Sequence, residues 1–232
     1  MLPKLLVLLA ALVLAACDGT GSSTCTQGCV TVNDGGTLIH GSGNTKTETR
    51  PVAPLTAIRV ASAVTVVIER TGGETLSVTG DDNLLSLFTS EVKDGTLSLS
   101  SASGKSFEGK MPVFRVTVGD LRQLDLVGSS TARVSKLDSD ALSISIAGSA
   151  TLHAAGQVND LTVSVSGSGT ADVAQLTAKR AKVVVSGSGD LTVNASDELD
   201  AKVTGSGSIR YIGSPKLTPA VSGSGSIKKK SI

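Results

Sequence analysis

From about residue 120 onward, apolar and polar positions alternate with a period of two, and the alternation itself recurs as a block. With the glycine of each Gly-Ser pair as anchor, the blocks sit at Gly128, Gly148, Gly167, Gly187, Gly205 and Gly223. Successive anchors are 20, 19, 20, 18 and 18 residues apart, and in the last four copies the corner reads Gly-Ser-Gly. Two residues before the anchor stand Leu126, Ile146, Val165, Val185, Val203 and Val221. Four before it stand Leu124, Ile144, Val163, Val183, Ala201 and Pro219, and four after it Ala132, Leu152, Ala171, Leu191, Ile209 and Ile227. Six after it come Val134, Ala154, Val173, Val193 and Tyr211. Polar residues such as Ser143, Ser145, Thr162, Ser164, Asp200 and Lys202 fill the places between. A period of two is a strand signature with one face buried and the other wet.

The same residue types at the same offset in copy after copy predict that the copies stack. Each copy is then one coil, of about 18–20 residues, in an all-β parallel β-helix (β-solenoid). Like strands pair at about 4.8 Å, so six coils make a rod of roughly 24 Å. Parallel crossovers make it right-handed. The corner glycines let the chain turn where a Cβ would clash. A sandwich of antiparallel hairpins also repeats short strands, but it does not require column register across six copies. The rod needs covers at its ends. Asp82-Asn83-Leu84-Leu85-Ser86-Leu87-Phe88 predicts a short helix across one end. Lys228-Lys229-Lys230, after the last strand, is expected to block the other end or to fray as a tail, with a membrane-surface role as the alternative. Val30-Thr31-Val32 and Leu38-Ile39-His40, flanking Asn33-Asp34-Gly35-Gly36, predict a hairpin.

The N-terminus carries a different signal. Lys4 precedes ten apolar residues, Leu5 to Leu14, the length of a signal-peptide core and too short for a bilayer span. Leu14-Ala15-Ala16-Cys17 follows and resembles the lipobox of bacterial lipoproteins. That resemblance implies cleavage before Cys17 and acylation of its thiol, with two or three acyl chains giving stable anchorage. Asp18 resembles the inner-membrane retention signal of some lipoproteins. Lipidation of Cys17 leaves Cys25 and Cys29, an even number, for a short-loop disulfide or as two free thiols. The expected organisation is a signal peptide over 1–16, a lipidated tether over 17–49 and the solenoid domain over 50–232.

Loss of Lys4 with the signal leaves 20 basic and 20 acidic residues. A balanced chain has no net field to draw it to nucleic acid. Phe88, Phe107, Phe114 and Tyr211 are the whole aromatic complement, too few for stacking platforms. With His40 and His153 the only histidines, a Ser-His-Asp triad is not expected, nor is a closed zinc site. Gly187-Ser188-Gly189-Asp190 looks like a calcium turn, but the aspartate is not repeated at that offset. The Gly-x-Gly runs lack a following helix to hold phosphate.

Pro54-Leu55-Thr56-Ala57-Ile58-Arg59-Val60, Val64-Thr65-Val66-Val67-Ile68, Asp82-Asn83-Leu84-Leu85 and Glu91-Val92-Lys93-Asp94-Gly95-Thr96-Leu97, in that order, resemble the head GIN domain. That family is labelled "putative auto-transporter adhesin". The resemblance covers roughly residues 50–228. It implies a parallel β-helix and brings no catalytic residues with it. The expected function is a lipid-anchored module of the bacterial envelope that presents a non-catalytic β face, in adhesion or as a scaffold, to an envelope or extracellular protein or glycan. No cofactor or metal is expected. The alternative is a polysaccharide lyase or hydrolase, since parallel β-helices host both. Such enzymes stack acidic residues on one face, whereas Asp172, Asp190 and Asp200 sit at different offsets from their anchors.

Overall fold

The computed structural model describes residues 30–33 and 36–230. The signal peptide, Cys17, the tether over 18–29 and Cys25 and Cys29 lie outside the described residues. In chain order, β1 (Val30–Asn33) and β2 (Gly36–His40) form an antiparallel hairpin with Val30 opposite Ile39. Then come β3 (Thr45–Arg50), β4 (Ala57–Ala61), β5 (Thr65–Arg70) and β6 (Thr75–Asp81). Helix α1 (Asp82–Leu85) precedes β7 (Phe88–Lys93), β8 (Thr96–Ser101), β9 (Lys105–Glu108), β10 (Val113–Val118) and β11 (Gln123–Gly128). The long coil segments are β12 (Thr131–Gly148), β13 (Thr151–Gly167), β14 (Thr170–Gly187) and β15 (Asp190–Gly205). The last coil holds β16 (Ser208–Ile212), β17 (Lys216–Gly223) and β18 (Ser226–Lys229).

The repeat columns are real stacks. Leu126 pairs with Ile146, Ile146 with Val165, Val165 with Val185, Val185 with Val203 and Val203 with Val221, all in parallel ladders. Every member from Leu126 to Val203 is fully buried, so each valine packs on the same position one coil away. A second inner column, Leu142, Leu161, Ala181, Leu199 and Leu217, runs along the same sheet face. The 0 % exposure of Val185 beside a half-buried Val184 fixes which face is inside. Bulges at Val134/Leu137 and His153/Ala155 make the remaining bend of each coil, with Lys136 and Gly156 at positive φ.

The part before β11 departs from simple stacking. β8 follows β4 in the chain, yet lies on the side of β4 opposite β11. In the same way β10 and β12 flank β5. The chain therefore builds one coil with β4 and β5 and leaves it through antiparallel β6, α1 and β7. It returns to lay β8 and β10 beneath that coil and then crosses to the other side at β11. Buried Leu121 lies in that crossing, and Arg122 N–H donates to Thr56 C=O at 2.8 Å.

Three sequence expectations change. The helix is four residues rather than seven: Leu87 N–H turns back onto Leu84 C=O at 2.9 Å and Phe88 enters a strand. Leu84 and Leu85 are both fully buried. The folded part reaches further toward the N-terminus than residue 50, because β2 pairs with β9 and β3 with β6. Lys228 and Lys229 belong to β18 itself rather than following it.

Candidate functional site

Along one side of the rod, the outward residues seven places before each corner form a ladder of alternating charge. Asp160 pairs with Arg180, Arg180 with Glu198 and Glu198 with Lys216. Two residues further along, Thr162, Lys182, Asp200 and Thr218 form a parallel row. These residues are held outward because Leu161, Ala181 and Leu199 between them point into the core. Arg180 Nε and Nη2 donate to the two Asp160 carboxylate oxygens at 2.6 and 2.7 Å. That bidentate bond holds the Asp160 carboxyl below its ordinary range and pushes the Arg180 guanidinium up. Both side chains are half exposed, so the pair organises the surface more than it stabilises the fold. A shallow cavity of about 310 Å³ opens over these rows.

A second cavity, of about 610 Å³, carries Asp120, Asp138 and Asp140 together with Arg70 and Lys179. Its carboxylates are engaged by neighbours: Gln157 donates to Asp138 at 3.2 Å and Asn159 to Asp140 at 3.0 Å, each from the next coil. Asp120 is pulled below the ordinary carboxylate range first by the hydrogen bond from Arg122 and then by that from Ser139. Among the described residues no group of three or more His, Cys, Asp or Glu side chains is placed to hold a metal ion.

The third feature is the corner. Gly128, Gly148, Gly167, Gly187, Gly205 and Gly223 all have φ between +91° and +118°, as the repeat predicts. A Cβ on Gly187 would lie 2.6 Å from the Gly167 carbonyl oxygen, so the corners need glycine for close approach as well as for backbone conformation. Ser168 N–H donates to Gly148 C=O at 3.0 Å and Ser188 N–H to Gly167 C=O at 2.9 Å. Ser129, Ser149, Ser168, Ser188, Ser206 and Ser224 are exposed along this edge, a ridge of hydroxyls with the spacing of the coils.

The histidines fall apart from one another. His40 Nδ1 lies 3.0 Å from Glu108, and His153 Nδ1 lies 3.8 Å from Asp172. Among the described residues no pair of carboxylates is opposed on neighbouring paired strands: Asp172 faces His153 and Thr192, Asp190 faces Thr170 and Ser208, and Asp200 faces Lys182 and Thr218. The carboxyls of Glu48, Asp120 and Asp160 are held below their ordinary range, in each case first by a hydrogen bond from a neighbouring cation, Lys46, Arg122 and Arg180 respectively. The arrangement suits hydrogen-bonded and ionic contact.

A family model described as "Putative auto-transporter adhesin, head GIN domain" matches residues 54–215. The structure is similar to the crystal structure of a putative adhesin from Bacteroides fragilis, with a TM-score of 0.71 at 25% identity. That match covers 83% of this chain and 100% of the other. It is also similar in fold to a putative lipid binding protein from Parabacteroides distasonis, with a TM-score of 0.50 at 24% identity, covering 84% of this chain and 100% of that one. Among curated proteins nothing matches.

Proposed function

The chain belongs to the head GIN domain family, and on that premise we propose that it is a non-catalytic binding module held at the bacterial cell envelope by lipid on Cys17. The observation that carries the binding part is the outward ladder of Asp160, Arg180, Glu198 and Lys216, in which each charge is flanked by its opposite or by a neutral residue. Such a surface offers donors and acceptors at a fixed spacing. Its partner is a protein or glycan of the envelope or the cell exterior that hydrogen-bonds to those rows. Leu14-Ala15-Ala16-Cys17 supports the anchor, and among the described residues no helix is long and apolar enough to cross a membrane.

Two experiments test the two halves. Cys17→Ser abolishes membrane association in fractionated cells, and the N-terminal peptide of the natural protein carries the mass of its acyl chains. A mutant that still sediments with membranes removes the lipid anchor from the account. Asp18 points to the inner membrane, and co-migration with outer-membrane markers on a density gradient would reject that placement. For the ladder, Arg180→Glu together with Lys216→Glu places four acids in one row, at Asp160, Glu198 and the two substituted positions. The double variant keeps its fold and loses the envelope partner that cross-links to the wild type in cells. Unchanged cross-linking would move the binding face elsewhere.

A further inference from the structure

The two ends of the rod differ. At the end holding β7, a strand runs antiparallel to β8, and α1 buries Leu84 and Leu85 in the core. At the other end, among the described residues, the columns stop at the last coil. Val221, in the column whose other members are fully buried, is 48% exposed, and its neighbours Pro219 and Ala220 are exposed too. Leu217 and Ile227 are only partly covered. Lys229 pairs with Tyr211, in the column that holds Val173 and Val193 in the coils before, so a lysine stands where those coils place an apolar residue.

Charge is divided the same way. From Lys216 to Lys230 there are four lysines, Lys216, Lys228, Lys229 and Lys230, and no acidic residue. From Cys17 to Pro215 there are 16 basic and 20 acidic residues, a net charge of −4. An apolar end whose last coil carries lysines and no acid can bury its side chains in the headgroup boundary while the ammonium groups meet anionic lipid. A second copy of the chain seated end to end would instead bring like charges together.

We propose that the last coil, β17 and β18, docks onto an anionic lipid surface through Val221, Pro219 and Ile227 inside a rim of Lys216, Lys228 and Lys229, while Lys230 lies against the side of the rod with His153, Asp172 and Gln175. The proposal rests on the lipid-anchored reading for bringing the chain to a membrane. The lengths are compatible. The thirteen steps from Cys17 to Val30 reach at most about 44 Å. The stack from β8 through β17 is about 34 Å long, eight strands at about 4.8 Å. The tether is long enough to span a distance of that order.

The test uses the chain from Asp18 onward, which keeps every described residue and carries no lipid, mixed with vesicles and sedimented. Vesicles of phosphatidylglycerol with phosphatidylethanolamine should retain the protein, and vesicles of phosphatidylcholine should not. At ~1 kcal/mol for a lysine near an anionic surface, each Lys→Gln change at Lys216, Lys228 or Lys229 should weaken binding about 5-fold, and all three together about 100-fold. Val221→Ser should weaken it at unchanged charge, and 0.5 M salt should release the lysine-dependent part. Melting temperatures of the variants, unchanged from the wild type, separate lost docking from lost fold. Absence of binding by the wild type, equal binding to neutral vesicles, or full binding by the triple variant each overturns the proposal. A wild type that dimerises in solution through Val221 also overturns it and assigns the end to a second copy. Acylation of Cys17 is read separately, from the mass of the N-terminal peptide, so either idea can fail without the other.

Discussion

Residues 123–223 and residues 36–118 solve the same packing problem in different ways. In the regular coils a residue's surroundings are set by its column: Val185 is enclosed because Val165 and Val203 occupy the same offset above and below it. In the cap the contacts are used once. Arg50 donates to the carbonyls of Leu85 and Phe88, both at 2.8 Å, and its guanidinium lies 5.9 Å from the Phe114 ring centroid. Asp81, 2% exposed, accepts Lys110 N–H at 3.0 Å against Gly41 and Gly109, where a Cβ would collide with its carboxylate. Phe88 and Phe107 lie 4.9 Å apart between ring centroids. Repetition lets the coils share one rule among many residues. The cap depends on individual polar and aromatic contacts that no other part of the chain duplicates.

The largest effect should come from reversing one inward position. Val185→Asp buries a charge with no partner and should unfold the coils, at a cost above about 4 kcal/mol. Val184→Asp, one residue away on the half-buried outer face, should cost less than about 1 kcal/mol. Equal loss in thermal melts would break the assigned register. Arg50→Met in the cap keeps the aliphatic stem but strips two carbonyls of their donor, and should cost about 3 kcal/mol by chemical denaturation. A loss under about 0.5 kcal/mol would show that the cap does not depend on single contacts.

The corners allow a finer contrast within the coils. Gly187→Ala meets the Gly167 oxygen, whereas Gly128, first in its column, has nothing within 4 Å of an added Cβ despite its φ of +91°. The expected costs are about 3 kcal/mol and about 1 kcal/mol, the second for backbone conformation alone. Equal costs would mean that stacking adds nothing to the conformational requirement.

The smallest effect is electrostatic. The Asp160 carboxyl, depressed in the folded state by Arg180, contributes stability that is present above its ordinary pKa of 3.8 and is lost as pH falls through the lower folded value. Carboxyl NMR titration should place Asp160 below the ordinary carboxylate range, and Arg180→Gln should return it there. An unmoved titration in that variant would remove Arg180 as the cause.

The coil columns, their corners, the hairpin and the position of the helix were legible because each rests on local pattern: period two, Gly-Ser turns and an acidic helix start. The order of β8, β4 and β11 was not. Nothing in Leu97, Ile58 and Leu124 as residues says that the later segment lies beneath the earlier one, and the contacts that enforce it, such as those of Arg50, occur once. The charge ladder was present in the same offsets that revealed the valines, since Asp160, Arg180, Glu198 and Lys216 each stand seven residues before a corner. A search for stacked like charges passes over it, because the column conserves position and alternates sign.

Whether this surface binds or reacts is open to direct measurement. The chain from Asp18 onward, incubated with pectic, alginate and peptidoglycan substrates with and without calcium, should release no product. Reproducible turnover that disappears on replacing a single residue among Asp120, Asp138, Asp160, Arg180 or Glu198 would contradict the binding reading and make the outer face of the coils an active site.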